Sequence, residues 1–190
     1  MMASTYPTSL DTFTNPTATS LLTSPSHAQQ HSDINDAVEA LETKVAIGNT
    51  VLGKYTSYTP TYESFTLGNG TVSAKYCQVN DFAHVFGSIV FGSTTAITGN
   101  LGIGMYFNAD SIYYTPTTWT TLIGTATLYD ASTGTNYFGV VQAANNSTLM
   151  KIFSQGASGT YVNRGFCNAT APFTWAVSDE IKWNVYFKVA

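Results

Sequence analysis

The chain has 190 residues, of which 9% are charged and 44% are hydrophobic, with a formal net charge of −4. About a quarter of an average globular domain is charged, so this composition is typical of a neutral, β-rich protein with room for one domain and an appendage. The seven lysines and arginines are scattered singly, which argues against nucleic acid as a partner. The apolar runs are far shorter than a membrane span requires, so we expect no membrane insertion.

Residues 1–26 are rich in Thr, Ser and Pro and predict an extended segment that builds no core of its own. They lack the basic and apolar regions of a secretory signal, so we expect synthesis and assembly in a cytoplasm. One interpretation is a disordered tail, and the other is a peptide that docks on another protein through spaced apolar side chains. The candidate anchor residues are Tyr6, Leu10, Phe13, Leu21 and Leu22.

A helix is predicted over residues 27–48, starting at the capping-box spacing of Ser26 and Gln29 and ending at Gly48. Spacings of four and three alternate along it, as in a left-handed coiled coil. We assign this seam to a self-association interface, because a lone helix buries nothing; packing on the rest of the chain is the alternative. The heptads do not decide between two and three strands. The interface residues are His31, Ile34, Val38, Leu41 and Val45.

His27 and His31 lie one turn apart on the same seam. That spacing could bind a metal ion, or an anion when the rings are protonated. A polar layer that fixes the register of the helices is the more common role of such a pair, so we assign no metal site.

From residue 54 the hydrophobic period changes to two, which predicts a β domain over residues 54–190. Gly- and Asn-rich turns separate the strands, among them the predicted turns at 98–100, 130–134 and 156–159. This spacing favours an antiparallel sandwich or jelly roll. Two stretches, 82–91 and 102–107, are apolar or small on both faces, so we expect a neighbouring subunit to cover their second face. The predicted strands are residues 56–66, 71–79, 83–91, 101–107, 121–129, 137–143, 148–153 and 181–189.

Catalytic and cofactor motifs are missing from the sequence. Cys77 and Cys167 lack the spacing of a zinc or redox site and are predicted to be buried thiols. His84 is the one histidine of the β domain and accompanies no nucleophile motif. The carboxylates fall in turns or at strand edges and form no convincing pair for glycoside cleavage. We therefore expect no enzyme and no cofactor.

An aromatic and Thr-rich loop between two predicted strands is the best candidate for a ligand surface. Aromatic faces beside hydroxyls and a carboxylate suit sugar rings. The alternative is that these aromatic residues cap the core. The candidate loop residues are Asp110, Tyr113, Tyr114 and Trp119.

The block TYPTSLDTFTNPTATSLLTSPSHAQQHSDINDAVEALETKV, here followed by Ala46-Ile47-Gly48, resembles a segment that recurs in bacteriophage minor tail and fibre proteins. The stretches YTSYTPT, LGNGTVSAKY and FGSTTAITG, and the closing WAVSDEIKW, are similar to the opening and end of their C-terminal heads. The middle of the β domain, residues 101–164, carries no such likeness.

The resemblance implies a virion protein that attaches to the particle by its N-terminus and forms a homotrimer through its helix. On that basis we expect a structural fibre or spike subunit whose trimeric β head attaches to a host surface, with a glycan as the expected ligand. A capsid head fibre or decoration protein without receptor binding is the alternative, since it shares all of these features. A small depolymerase is disfavoured because no repetitive β-helix is present.

Overall fold

The computed structural model describes residues 27–45, 53–110, 121–143, 147–158 and 161–190. The chain divides after Lys54 into an N-terminal unit, which contains helix α1 (His27–Val45), and a second unit, Tyr55–Ala190, called the head below. The described part of the head is mainly β and contains the strands β1 Thr56–Ser57, β2 Tyr62–Thr66, β3 Thr71–Val79, β4 Phe82–Val90, β5 Ala96–Gly104, β6 Thr121–Asp130, β7 Thr135–Ala143, β8 Leu149–Ser158, β9 Tyr161–Phe166 and β10 Glu180–Lys188.

Helix α1 begins at His27, where the capping-box spacing predicts its start. The Gln29 side-chain nitrogen donates a hydrogen bond to Asp33 Oδ1 at 2.7 Å, one turn further along. Ile34, Val38 and Leu41 are 53%, 47% and 48% exposed, and His31 on the same seam is also exposed. The side chain of Val45, the predicted end at Gly48 and the anchor segment lie outside the described part of the chain.

The strands form one curled antiparallel sheet in the order β1-β3-β4-β10-β6-β7-β8-β5-β2, with β9 paired to β8. Strand β10 therefore lies between β4 and β6, in the interior of the sheet. One edge of β8 is divided, because β5 pairs with residues 149–151 and β9 pairs with residues 153–158. Curling brings distant strands together: the rings of Phe65 and Phe91 lie 5.8 Å apart.

Alternating side chains of β10 form the centre of the core, as the sequence predicts. Ile181, Trp183, Val185 and Phe187 are buried, whereas the intervening Lys182, Asn184 and Tyr186 are exposed. The buried residues join a cluster drawn from strands on both sides of β10.

Both cysteines are free and buried, as predicted. Burial raises the pKa of Cys167 to about 12, so this thiol stays protonated at neutral pH and is a poor nucleophile.

Strand boundaries differ from prediction at three places. The first predicted strand, 56–66, is interrupted between β1 and β2 by a segment that contains Pro60. The predicted turn at Thr98-Gly99-Asn100 is wrong, because these residues lie inside β5 and pairing there is irregular at the bulge of β2. The expected break at 156–159 is also too early, since β8 runs to Ser158 and pairs with β9, which was not predicted.

Residues 101–105 are buried by this chain itself, so they need no cover from a neighbouring subunit. Tyr106, in the same predicted stretch, is 52% exposed. Small residues make the close packing possible. A Cβ on Gly104 would lie 2.3 Å from the Thr61 hydroxyl oxygen, and a Cβ on Gly102 would lie 3.0 Å from Cβ of Glu63. Strand β5 is therefore held by intrachain contacts over its second half.

An ion pair beside Gly102 joins β8 to β2. Lys151 Nζ lies 2.5 Å from Glu63 Oε1 and donates a second hydrogen bond to the Asn100 carbonyl at 3.0 Å. The lysine side chain is only 4% exposed, whereas the glutamate side chain is 49% exposed. Lys151 therefore depends on the ion pair more than Glu63 does, because its charge is shielded from water.

We expect Glu63→Ala to cost more stability than Lys151→Met. The first change removes a carboxylate that is paired with a buried ammonium, at about 2–3 kcal/mol, while the second lets the carboxylate return to water, at about 1 kcal/mol or less. Urea unfolding of the two variants measures the difference. Equal losses would contradict the proposed asymmetry, and the double variant should resemble Lys151→Met.

Two buried carboxylates organise the loops at the start of β10 and the end of β6. Asp179 accepts hydrogen bonds from the backbone N–H groups of Ala131 at 2.9 Å and Ala176 at 2.5 Å. Asp130 accepts from the Ser132 hydroxyl at 2.7 Å and the Thr133 hydroxyl at 2.9 Å within the predicted 130–134 turn. These bonds, chiefly that from the Ser132 hydroxyl, lower the pKa of Asp130.

A carboxyl whose pKa is lower in the folded chain stabilises the fold above its ordinary pKa and loses that contribution as the pH falls. We therefore expect the melting temperature to drop between about pH 5 and pH 3, and expect the drop to be smaller in Asp130→Asn. Ser132→Ala removes the principal donor and should also reduce the acid dependence. Thermal melts across that pH range test this, and parallel curves for all three proteins would contradict it.

Candidate functional site

The residues of the predicted ligand loop are divided by the structure. Asp110 is buried at 6% exposure, and its carboxylate is ion-paired with the Lys188 ammonium. Its backbone N–H also donates to the Lys188 carbonyl at 3.0 Å. These contacts give Asp110 a structural role at the end of β10. Tyr113, Tyr114 and Trp119 lie outside the described residues.

A shallow groove of about 570 Å³ lies over β3, β4 and β10 in the described part of the head and is a candidate site. Its size falls within the roughly 300–1,000 Å³ range of small-ligand sites. We call it the β4 groove. Its lining residues are Tyr55, Ser73, His84, Phe86, Gly87, Ser88, Lys182, Trp183 and Asn184.

Sheet register places the polar lining side by side. Ser88 is paired with Ser73 on β3 and with Lys182 on β10. Two residues earlier on β4, Phe86 is paired with Asn184. Because side chains two residues apart share a face, these groups all lie on the face opposite the buried side of β10.

The floor of the groove depends on a glycine. Gly87 is paired with Trp183, whose indole is buried beneath it. A Cβ on Gly87 would lie 2.4 Å from Cζ2 of Trp183 and 2.7 Å from the Ser73 carbonyl oxygen. The close approach of sheet and indole therefore requires glycine here.

His84 is fixed at one end of the groove by contacts on every side. The Tyr55 hydroxyl lies 2.7 Å from Nδ1, and Asn184 Oδ1 lies 2.6 Å from Nε2. Since an amide oxygen only accepts, Nε2 carries the proton and neutral Nδ1 accepts from Tyr55. The Tyr186 ring stacks on the imidazole at 4.0 Å with an interplanar angle of 8°.

Desolvation, with a smaller contribution from Cys77, raises the pKa of Tyr55. The phenol therefore remains a hydrogen-bond donor to His84 at neutral pH. Tyr55 also packs its ring edge against Phe86, with centroids 5.1 Å apart and planes at 80°. Histidine, tyrosine and phenylalanine thus form a rigid aromatic wall.

Cys77 is the cross-strand partner of His84, so the fold places a thiol beside a histidine that the sequence did not connect with a nucleophile. The geometry does not favour catalysis. Cys77 is buried, and Nδ1 of His84 is occupied by the Tyr55 hydroxyl while Nε2 faces Asn184. Neither ring nitrogen is available as a base for the thiol.

Sequence reasoning missed the β4 groove, because its residues come from four separate segments that only the register unites. A signal was nevertheless present in β4, where Phe82, His84, Phe86 and Ser88 alternate with buried residues. Aromatic side chains on the solvent face of a strand are the feature that could have indicated the site.

Within the described ranges, no cluster of three or more His, Cys, Asp or Glu residues is arranged to hold a metal ion. The described helix is not long and apolar enough to cross a bilayer. No family model matches the chain, and neither the curated proteins nor the solved structures contain a significant match.

Proposed function

We propose that this chain is a structural subunit of a bacteriophage fibre or spike, which forms a homotrimer and attaches the particle to a host surface. Residues 1–26 would bind another virion protein, α1 would hold the subunits together, and the head would contact a surface glycan. The half-exposed apolar seam of α1 is the observation that carries the proposal.

Burying the apolar side chains of that seam would lower the free energy of the helix. A helix of 19 residues is marginal alone in water, and exposing Ile34, Val38 and Leu41 forgoes the burial that normally stabilises an amphipathic helix. Heptad spacing makes identical helices suitable partners, because each apolar side chain can enter a gap on its neighbour. The preference for three strands rests on the resemblance to phage fibre proteins.

We further propose that the curled sheet is a β-sandwich of the jelly-roll type. Contacts across the curl support this arrangement: Phe65 packs against Phe91, and the Tyr58 hydroxyl donates to the Gly104 carbonyl at 3.1 Å. A β head of low charge also suits a virion surface, where many copies stand close together.

Three identical heads make weak binding sufficient. Once one head is bound, the others meet the surface at high effective concentration, so millimolar single-site affinity can still retain a particle. A shallow groove such as the β4 groove is compatible with that requirement.

Cryo-electron microscopy of the intact particle tests the proposal by locating the chain and its symmetry. Threefold density at the tail tip is the expected result. Density on the capsid would instead support a head fibre or decoration protein, and particles without the chain would contradict both functions.

A further inference from the structure

We infer that the β4 groove binds a neutral pyranose ring, an assignment that rests on the attachment function proposed above and gives it a site and a ligand class. The ring would stack on the aromatic wall and hydrogen-bond to the neighbouring polar row. The juxtaposition of Phe86 with Ser73, Ser88 and Asn184 is the basis of the assignment.

An aromatic ring beside an open groove suits the C–H face of a sugar. Phe86 is partly exposed, and two neighbouring rings hold it in place: Tyr55 in a T-shaped contact at 5.1 Å, and His84 tilted by 32° at 5.4 Å. Because these rings are already packed, little conformational entropy is lost when a ligand stacks on them. The wall is therefore preorganised for a flat, partly apolar ligand.

Polar groups next to Phe86 provide donors and acceptors for sugar hydroxyls. Ser73 and Ser88 face each other across β3 and β4, and neither hydroxyl has a hydrogen-bond partner among the described residues. Asn184 Oδ1 accepts a hydrogen bond from His84 Nε2, which leaves the Asn184 amide nitrogen as a donor. A hydroxyl-rich ligand satisfies these groups better than an apolar one does.

Charge favours a neutral ligand. Lys182 is the cation that lines the groove, and its ammonium is paired with the Glu180 carboxylate. Lys75 lies on the same face opposite Phe86 but does not line the groove. A carboxylate-bearing sugar would have to compete with Glu180 for Lys182, whereas a neutral pyranose leaves the pair intact.

Saturation-transfer NMR on the full chain tests the site, with methyl glucoside, galactoside and mannoside, N-acetylglucosamine and glucuronic acid as probes. At least one neutral probe should receive magnetisation through its ring C–H protons. Phe86→Ala should weaken its binding about tenfold or more, because the stacking surface is lost. The matched control is Phe82→Ala, which removes a 63% exposed phenylalanine from the same strand and face but outside the groove.

A double variant, Ser73→Ala with Ser88→Ala, keeps the rings and removes the hydroxyls, so it tests the site should Phe86→Ala fail to fold. We again expect about a tenfold loss. Binding of the same proteins to cells of the particle's host is measured in parallel. Unchanged binding in both groove variants overturns the site but not the attachment function.

The remaining outcomes are also decisive. Binding of glucuronic acid alone overturns the neutral ligand. Wild-type protein that binds neither sugars nor host cells overturns the attachment function itself. Equal losses in Phe86→Ala and Phe82→Ala overturn the assignment to the groove.

Discussion

Gly124→Ala is expected to destabilise the head by about 3 kcal/mol or more and to lower its melting temperature by roughly 10 °C. Gly124 lies at an irregularity in the pairing of β6 with β7. A Cβ there would lie 2.1 Å from the Asn184 carbonyl oxygen and 2.7 Å from Cα of Val185. Both contacts are backbone atoms of the central strand β10, so no side-chain rotation can relieve them.

Gly165→Ala in β9 is the matched control. A Cβ at Gly165 would meet no atom within 4 Å, and the residue is exposed. Alanine in a strand is favoured over glycine by roughly 0.5–1 kcal/mol, so this variant should melt at or slightly above the wild-type temperature. Differential scanning calorimetry measures both, and a Gly124→Ala protein as stable as the control would show that β6 and β10 are not packed this closely.

Leu41→Asp should separate the proposed oligomer into single chains. Leu41 is 48% exposed in one chain and occupies the seam that we propose as the self-association interface. Burying a carboxylate in each of the associating helices would place like charges together in an apolar layer, at a cost of several kcal/mol. Three heptads provide only marginal association, so this cost exceeds what the seam can offset.

Ala40→Asp introduces the same charge one residue earlier, off the seam, and should leave the oligomer intact. Analytical ultracentrifugation gives the mass of the wild type and both variants. A Leu41→Asp protein with the wild-type oligomeric mass would remove the coiled coil from the proposal. A wild type that sediments as a single chain would do the same.

Local patterns predicted those elements whose contacts are close in sequence or strictly periodic. The spacing of Ser26 and Gln29 predicted a helix start at His27, where α1 begins, and the alternation from Ile181 to Phe187 identified the buried face of β10. Turn chemistry placed the 130–134 turn, where Asp130 bonds to its own loop. In each case a few neighbouring residues contain the physical cause.

The features that the sequence did not predict depend on contacts between residues far apart in the chain. Thr98-Gly99-Asn100 has the composition of a turn, yet these residues belong to β5, where Gly99 makes room for Ser64 at the bulge of β2. The β4 groove required the register of β3, β4 and β10, and Asp110 was interpreted as a ligand residue because its partner Lys188 is 78 positions away. Such contacts leave no periodic signal.

The position of β10 between β4 and β6 has a consequence for how the protein is made. Of the ten strands in the described part of the chain, β10 leaves the ribosome last. Until then the β3-β4 hairpin and the β6-β7-β8 group lack the strand that joins them. The apolar faces of these strands would stay exposed until β10 pairs with them, because pairing over such sequence separation is slow. A prematurely ended chain would thus retain two open sheet edges, one on β4 and one on β6.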